Sequence, residues 1–311
     1  WADSEGNGNG YVKLSTAITT SGGGVWIGGS YLTNGSGTTS WTPYASGSPI
    51  TVGAGYAVSD GSSYGVSLDP DASIQTSGGN ISIYGYGDQY FSIPNNFYAG
   101  GLTIDGSQII SSGGDISLEG VGLFTGTLNA AADYLTGLLI HSGAIINSAA
   151  GSLTMVGSLP NSDLDYASAV WIGSSPARVV NGDVTILSTS GDISITGNTQ
   201  NSIARNQYKD GVRLQTAGNS GDDIQISSTS GNITLNGTAG RSGETRVNVG
   251  LRINSDDVDP KIAITSQSGT IALKGVNRGV EGANQVAIEF NAGNAADQIK
   301  IGYDGSNPYS G

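Results

Sequence analysis

The chain contains no cysteine, which excludes disulfides, thiolate metal sites and cysteine nucleophiles together. A secreted eukaryotic domain of 311 residues would often carry disulfides, so their absence points to a bacterial exported protein held by its own ladder. Histidine occurs once, at His141, which excludes a multi-histidine metal site and leaves a serine triad only one base. Charged residues are only 12% of the chain, too few for ordinary disorder. No run of about 18 apolar residues occurs, so no segment reads as a membrane-spanning helix. Basic residues are scarce, with 12 Lys and Arg against 25 Asp and Glu for a net charge of −13. Through residue 177 Lys13 is the one base beside 12 acids, and such a surface repels phosphate backbones. Nucleic acid is therefore not an expected partner.

Glycine is abundant instead, at 51 of 311 residues, but without the three-residue period of collagen. It recurs in one phrase, most clearly Gly191-Asp192-Ile193-Ser194-Ile195-Thr196-Gly197. The first apolar residue of each copy is Ile81, Ile116, Leu153, Ile193, Ile233 or Ile271, in steps of 35, 37, 40, 40 and 38 residues. A period of that size marks a repeat architecture. Gly24-Val25-Trp26-Ile27-Gly28 is an imperfect earlier copy, and Val12-Lys13-Leu14 reads as a first strand.

Two further elements repeat in step. One is Gly-Val-like, as in Gly65-Val66-Ser67-Leu68, Gly101-Leu102-Thr103-Ile104 and Gly211-Val212-Arg213-Leu214. The other, Val184-Thr185-Ile186, Ile224-Gln225-Ile226 and Ile262-Ala263-Ile264, stands nine residues before the Gly-Asp/Asn-Ile element. Apolar residues two apart share one face of a strand, with Ser, Thr or Arg facing the other way. Strands this short cannot form a core alone, so each repeat must stack on the next, with Ile81, Ile116, Leu153, Ile193, Ile233 and Ile271 as one apolar column.

The expected fold is all-β, a right-handed parallel β-helix or β-solenoid of about eight coils of 35–40 residues, handedness following the usual crossover rule. Residues 1–24 read as a lead-in, 25–301 as repeats and 302–311 as a tail, forming a single domain that is a piece of something longer. The glycines are expected at corners, where they permit positive φ. The unequal steps are expected mostly in the loops that follow the Gly-Asp/Asn-Ile element, such as 198–210 and 238–246. Whether one repeat makes one coil or two smaller ones is open.

Thr189-Ser190-Gly191-Asp192-Ile193-Ser194-Ile195, Thr229-Ser230-Gly231-Asn232-Ile233-Thr234-Leu235 and Ser77-Gly78-Gly79-Asn80-Ile81-Ser82-Ile83 resemble the repeats of filamentous-haemagglutinin-like bacterial exoproteins of the two-partner-secretion type. Val52-Gly53-Ala54-Gly55-Tyr56-Ala57-Val58 is similar to stretches of very large surface proteins of that class. The resemblance spans about Val25 to Ile301. It implies a secreted or cell-surface right-handed β-helix exported through an outer-membrane pore, serving adhesion, biofilm or fibre formation, with no catalytic residues to carry over.

Carbohydrate-active β-helices need carboxylates held together. Asp69-Pro70-Asp71, Asp222-Asp223 and Asp256-Asp257-Val258-Asp259-Pro260 are the clusters available, and each sits beside turn residues where Asp bonds to local backbone. No catalytic residue is assigned, and His141 is expected at the surface. No cofactor is expected. Calcium is the one ion the sequence could hold, on Asp222, Asp223, Asp256, Asp257 and Asp259, although no calcium-loop spacing is present. Of 22 aromatic residues 14 precede residue 99. Tyr84, Tyr86, Tyr90, Phe91, Phe97 and Tyr98 either pack on the flank of the rod or touch a ligand or another protomer. The expected function is a non-enzymatic extracellular adhesin or stalk whose partners are surface glycans or proteins. The alternatives are a fibre subunit associating end to end and a polysaccharide-active enzyme.

Overall fold

The computed structural model describes residues 11–28, 31–33, 41–43, 57–60, 64–89, 98–124, 134–160, 166–174, 182–199, 209–216, 222–240, 248–255, 261–278, 285–292 and 298–302. Among these there is no helix, and strands account for every regular element. The chain is a parallel β-solenoid in which each repeat makes one coil of three strands. The first sheet stacks Val12–Leu14, Tyr64–Leu68, Tyr98–Asp105, Tyr134–His141, Tyr166–Gly173, Lys209–Thr216, Asn248–Ser255 and Gln285–Ala292. The second stacks eight shorter strands from Ala17–Thr20 to Gln298–Ile301. The third runs from Val25–Ile27 through Ile81–Gln89, Ile116–Phe124, Leu153–Ser158, Ile193–Asn198 and Ile233–Ala239 to Ile271–Asn277. Seven coils thus contribute to all three sheets, while the last contributes described strands to the first two only. Ala57–Asp60 adds a pairing against Gly85–Asp88, and Tyr31–Thr33 pairs antiparallel with Trp41–Pro43.

The columns read from the sequence are the columns of the fold. Val25, Ile81, Ile116, Leu153, Ile193, Ile233 and Ile271 follow one another in register through the third sheet. Ile18, Ile74, Ile109, Ile146, Ile186, Ile226, Ile264 and Ile301 do the same through the second. Together with the Val, Leu and Ile residues of the first sheet, all of these but Ile301 fill or pack against one continuous apolar core. Burial is complete in the middle coils and partial at both ends, where Val12, Leu14, Ile18, Ile271, Leu273, Ile288 and Ile299 pack on the core from outside.

Corner glycines such as Gly78, Gly106, Gly113 and Gly143 have the expected positive φ, but the glycines of the repeated phrase act differently. Gly79, Gly114, Gly151, Gly191, Gly231 and Gly269 do not have positive φ. At Gly114, Gly151, Gly191, Gly231 and Gly269 a Cβ would lie 2.0–2.4 Å from the carbonyl oxygen of the equivalent glycine one coil earlier. Positive φ falls instead on neighbours such as Gly78, Ser112, Gly113 and Ala149. The second glycine of the phrase turns no corner at all. Gly197 lies within a strand, where a Cβ would meet the Gly211 carbonyl at 1.9 Å, and Gly237 meets that of Gly250 at 1.8 Å. A glycine seam therefore brings the third sheet against the first, narrowing the cross-section at one vertex.

The unequal steps also lie elsewhere than expected. From the coil of Ile81–Gln89 onward the connection from the third sheet to the next first-sheet strand stays within seven to ten residues, whereas the first coil's third-sheet strand ends at Ile27 and the next first-sheet strand begins at Tyr64. The corner from the first sheet to the second ranges from Gly106 and Ser107 alone to the ten residues 174–183. Across the repeat steps from Ile81 to Ile271 this corner absorbs most of the variation, because the other two vertices are constrained, one by close glycine packing and one by side-chain hydrogen bonds.

Candidate functional site

Two polar ladders run along the corner between the second and third sheets. The first uses a hydroxyl at, or one residue past, the end of the second-sheet strands. Thr76, Ser111 and Ser148 donate to the carbonyls of Gly79, Gly114 and Gly151, and Ser266 donates to Gly231 of the preceding coil at 2.9 Å. All are buried, so these bonds satisfy corner carbonyls that would otherwise lose water without a partner. The second ladder uses the Asp or Asn of the repeated phrase. Asn80 Oδ1 accepts the N–H of Asp115 at 3.0 Å, and Asp115 Oδ1 that of Ser152 at 2.8 Å. Asp192 likewise accepts from Asn232 at 2.7 Å, and Asn232 from Thr270 at 2.9 Å. The alternation of Asp and Asn in the phrase thus has a cause: the position needs a short side-chain oxygen, charged or not.

Charge collects on the outer face of the first sheet. Lys13, Ser67, Thr103, Leu139, Trp171, Arg213, Arg252 and Glu289 occupy one column, coil after coil. In its second half a buried carboxylate organises the group. Asp210 accepts from Arg252 Nε at 2.9 Å and Nη2 at 3.3 Å, and from Arg213 Nη1 at 3.4 Å. Arg252 Nη1 reaches Glu289 at 2.8 Å, and the Arg213 guanidinium lies 4.5 Å over the Trp171 ring. Lys209 beside it is fully buried. Arg252 lies one coil from Asp210 and one coil from Glu289, so the network bonds three successive coils together, while Arg213 pairs with Asp210 within one strand. It holds no pair of free carboxylates for acid–base work on a sugar.

The expected site residues fare variously. Asp69 is the first residue of a turn closed by Ala72 N–H to its carbonyl at 2.9 Å, and its side chain accepts from Lys13 at 3.0 Å and Ser15 at 2.9 Å. The expected solvated turn at Asp222-Asp223 is corrected for Asp222. It is buried, accepting from Ser174 Oγ at 3.0 Å and Gly182 N–H at 2.8 Å, and so pins the long corner of the preceding coil. Asp223 accepts the N–H of Lys261 at 2.8 Å. Asp256, Asp257 and Asp259 lie outside the described residues, and no group of three metal-ligating side chains occurs among the described ones.

His141 is buried, not at the surface. It ends a first-sheet strand at a tight corner, where its Nδ1 meets Ser142 Oγ at 2.5 Å and Asp105 Oδ1 at 3.6 Å. Serine and aspartate share one ring nitrogen, whereas a relay needs them on opposite ones.

Of the aromatic group, Tyr86 is buried with Val121 and Leu123 beyond the glycine seam, and Tyr84 packs against them, its hydroxyl 3.3 Å from Ser117 Oγ. These two are flank packing. Tyr90, Phe91 and Phe97 lie outside the described residues. Tyr98 stands in register with Tyr134, which is followed by Tyr166. Sequence reasoning missed the Asp210–Arg252 pair, since nothing local links residues 42 apart. Only the column alignment of Arg213 with Arg252, set beside the neighbouring Asp210, could have found it.

A profile of the family described as Toastrack, DUF4097, matches residues 50–294. No curated protein and no solved structure matches the chain.

Proposed function

The chain belongs to the Toastrack family, DUF4097, and from that premise and the geometry above we propose a non-enzymatic, exported bacterial surface protein, a stalk or adhesin segment that presents loops to surface glycans or proteins. The observation that carries this reading is the unbroken register of the three sheets. Every connection from the third sheet to the first leaves the same edge of the rod, one per coil at about 4.8 Å. Weak contacts repeated along such an edge add through effective concentration rather than through one strong pocket. The described carboxylates support the non-enzymatic part, since Asp69, Asp210, Asp222 and Asp223 each hold backbone or cationic groups of the fold.

The test is binding of the whole chain to a glycan array and to bacterial and host cell surfaces, with the 90–97 segment replaced by Gly and Ser as comparison. Binding that falls with the replacement is the expected result. Absence of binding to every surface removes the adhesive reading. Release of unsaturated or reducing ends from acidic polysaccharides overturns the non-enzymatic one.

A further inference from the structure

We propose that the chain cuts itself between His141 and Ser142, by attack of the Ser142 hydroxyl on the peptide carbonyl before it and hydrolysis of the ester so formed. Ser142 is the outlier that points there. Its φ is +60°, a conformation that L side chains avoid. The corner one coil earlier meets the same backbone demand with a glycine, Gly106, at φ +63°. Strain of this kind persists only where the surroundings impose it, and it gathers at reactive sites. Three groups converge on this one. His141, the single histidine of the chain, places Nδ1 2.5 Å from Ser142 Oγ. The Gly106 N–H donates at 3.0 Å to the His141 carbonyl oxygen, where charge gathers when that carbonyl is attacked. Asp105 Oδ1 lies 3.6 Å from the same Nδ1. Ser112 and Ala149, the other described non-glycine residues with positive φ, do not follow a histidine.

In the tautomer with its proton on Nε2, His141 takes the Ser142 Oγ proton at Nδ1 as general base. Oγ bonds to the His141 carbonyl carbon, and the oxyanion rests against the Gly106 N–H. The carbon–nitrogen bond to Ser142 then breaks, and Nδ1 returns the proton to the departing nitrogen. The product is an ester between the His141 acyl group and Oγ, with a free amine on Ser142. Ser142 is half-buried, so water reaches the ester and adds to it. Oγ leaves with one proton as the hydroxyl, and His141 ends as a carboxylic acid. One peptide bond and one water are consumed, and nothing is oxidised. The arrangement that denies a relay suits this step: positive charge develops on Nδ1, and that nitrogen is the one the Asp105 carboxylate faces. Asp105 acts through the imidazole and is a positioning residue. The cut falls at a corner, between the strands Tyr134–His141 and Ile145–Asn147, each hydrogen-bonded to the coils on both sides. Both pieces therefore stay in the solenoid after cleavage. The event is a single turnover within the chain, so it stands apart from the presenting role and from action on any outside substrate.

The experiment is denaturing electrophoresis and intact mass of the whole purified chain over time, with and without hydroxylamine, which captures an ester as its hydroxamate. Fragments 1–141 and 142–311 are expected to accumulate at a rate independent of protein concentration. Hydroxylamine is expected to speed this and to leave its hydroxamate on His141. Ser142→Cys is expected to cleave through the thioester, and His141→Gln to slow cleavage roughly a hundredfold. Asp105→Asn keeps the shape and removes the charge beside Nδ1; it is expected to slow cleavage about tenfold, with Asp105→Glu restoring part of the rate. Ser142→Gly suits the positive φ and lacks the nucleophile, so it is expected to fold and stay whole. Circular dichroism and thermal midpoint report whether each variant is folded, and Ser142→Gly decides the matter should a variant of the buried His141 misfold. A wild-type chain that stays whole under both conditions overturns the proposal. So does scission at another bond, a rate that rises with protein concentration, or a Ser142→Gly chain cut as readily as the wild type. Glycan binding of either sign leaves these outcomes unchanged.

Discussion

A methyl group at position 191 would sit 2.0 Å from the Gly151 carbonyl oxygen, closer than any real contact. Gly78 is the opposite case, with φ at +91° and nothing within 4 Å of its added Cβ. The two substitutions therefore separate spatial exclusion from backbone preference. Gly191→Ala must force successive coils apart and is expected to cost on the order of 3 kcal/mol. Gly78→Ala costs only the left-handed penalty of about 1 kcal/mol. Chemical denaturation of both variants checks the order. Asp69 carries a pH prediction. Burial disfavours its charge, but hydrogen bonds from Lys13 and Ser15 and the Lys13 charge outweigh this and hold its carboxyl below the ordinary value. A carboxyl lowered in the folded state stabilises above its unfolded pKa and loses that contribution as pH falls through the folded one. Lys13→Ala is thus expected to cost under about 1 kcal/mol at neutral pH, and progressively less as the pH falls through the folded Asp69 value, which lies below the ordinary one, until the difference is gone beneath it. Urea titrations at both pH values measure it.

At the scale of the strand, position along the stack decides what a residue is worth. Leu235 and Leu273 are neighbours in one column, the first fully buried and the second partly so. Leu235→Ala is expected to destabilise by about 2–5 kcal/mol and Leu273→Ala by clearly less, as unfolding midpoints will show. The strands themselves were legible because apolar residues two apart recur at nearly constant spacing, and the third-sheet column was predicted residue by residue. What was not legible depends on contacts between coils. Gly197 looks like a corner residue in one repeat, and only the approach of Gly211 shows it to be a seam. His141 looks exposed because it follows a strand, yet the tight corner folds it under. Asp222 looks like half of an acidic pair, yet it reaches back 40 residues to Gly182.

At the scale of the molecule, eight strands per sheet at about 4.8 Å give a core roughly 40 Å long. Its hydrogen-bond ladders run along that length, so stability is summed between neighbouring coils rather than shared by one compact centre. Because all strands within each main sheet are parallel, the two ends of the rod differ, and the column from Lys13 to Glu289 has a direction. That arrangement has a mechanical consequence. A pull on the two chain termini loads the ladder one strand at a time, as a zipper is loaded, instead of shearing many bonds together. Extension in an optical trap is then expected to proceed as a low-force staircase, each step releasing one coil and lengthening the tether by roughly 120 Å. A single high-force rupture would mean that the Asp210–Arg252 network and the core lock the coils into one unit. The staircase would make the rod a shock absorber, yielding in increments and rewinding when slack returns.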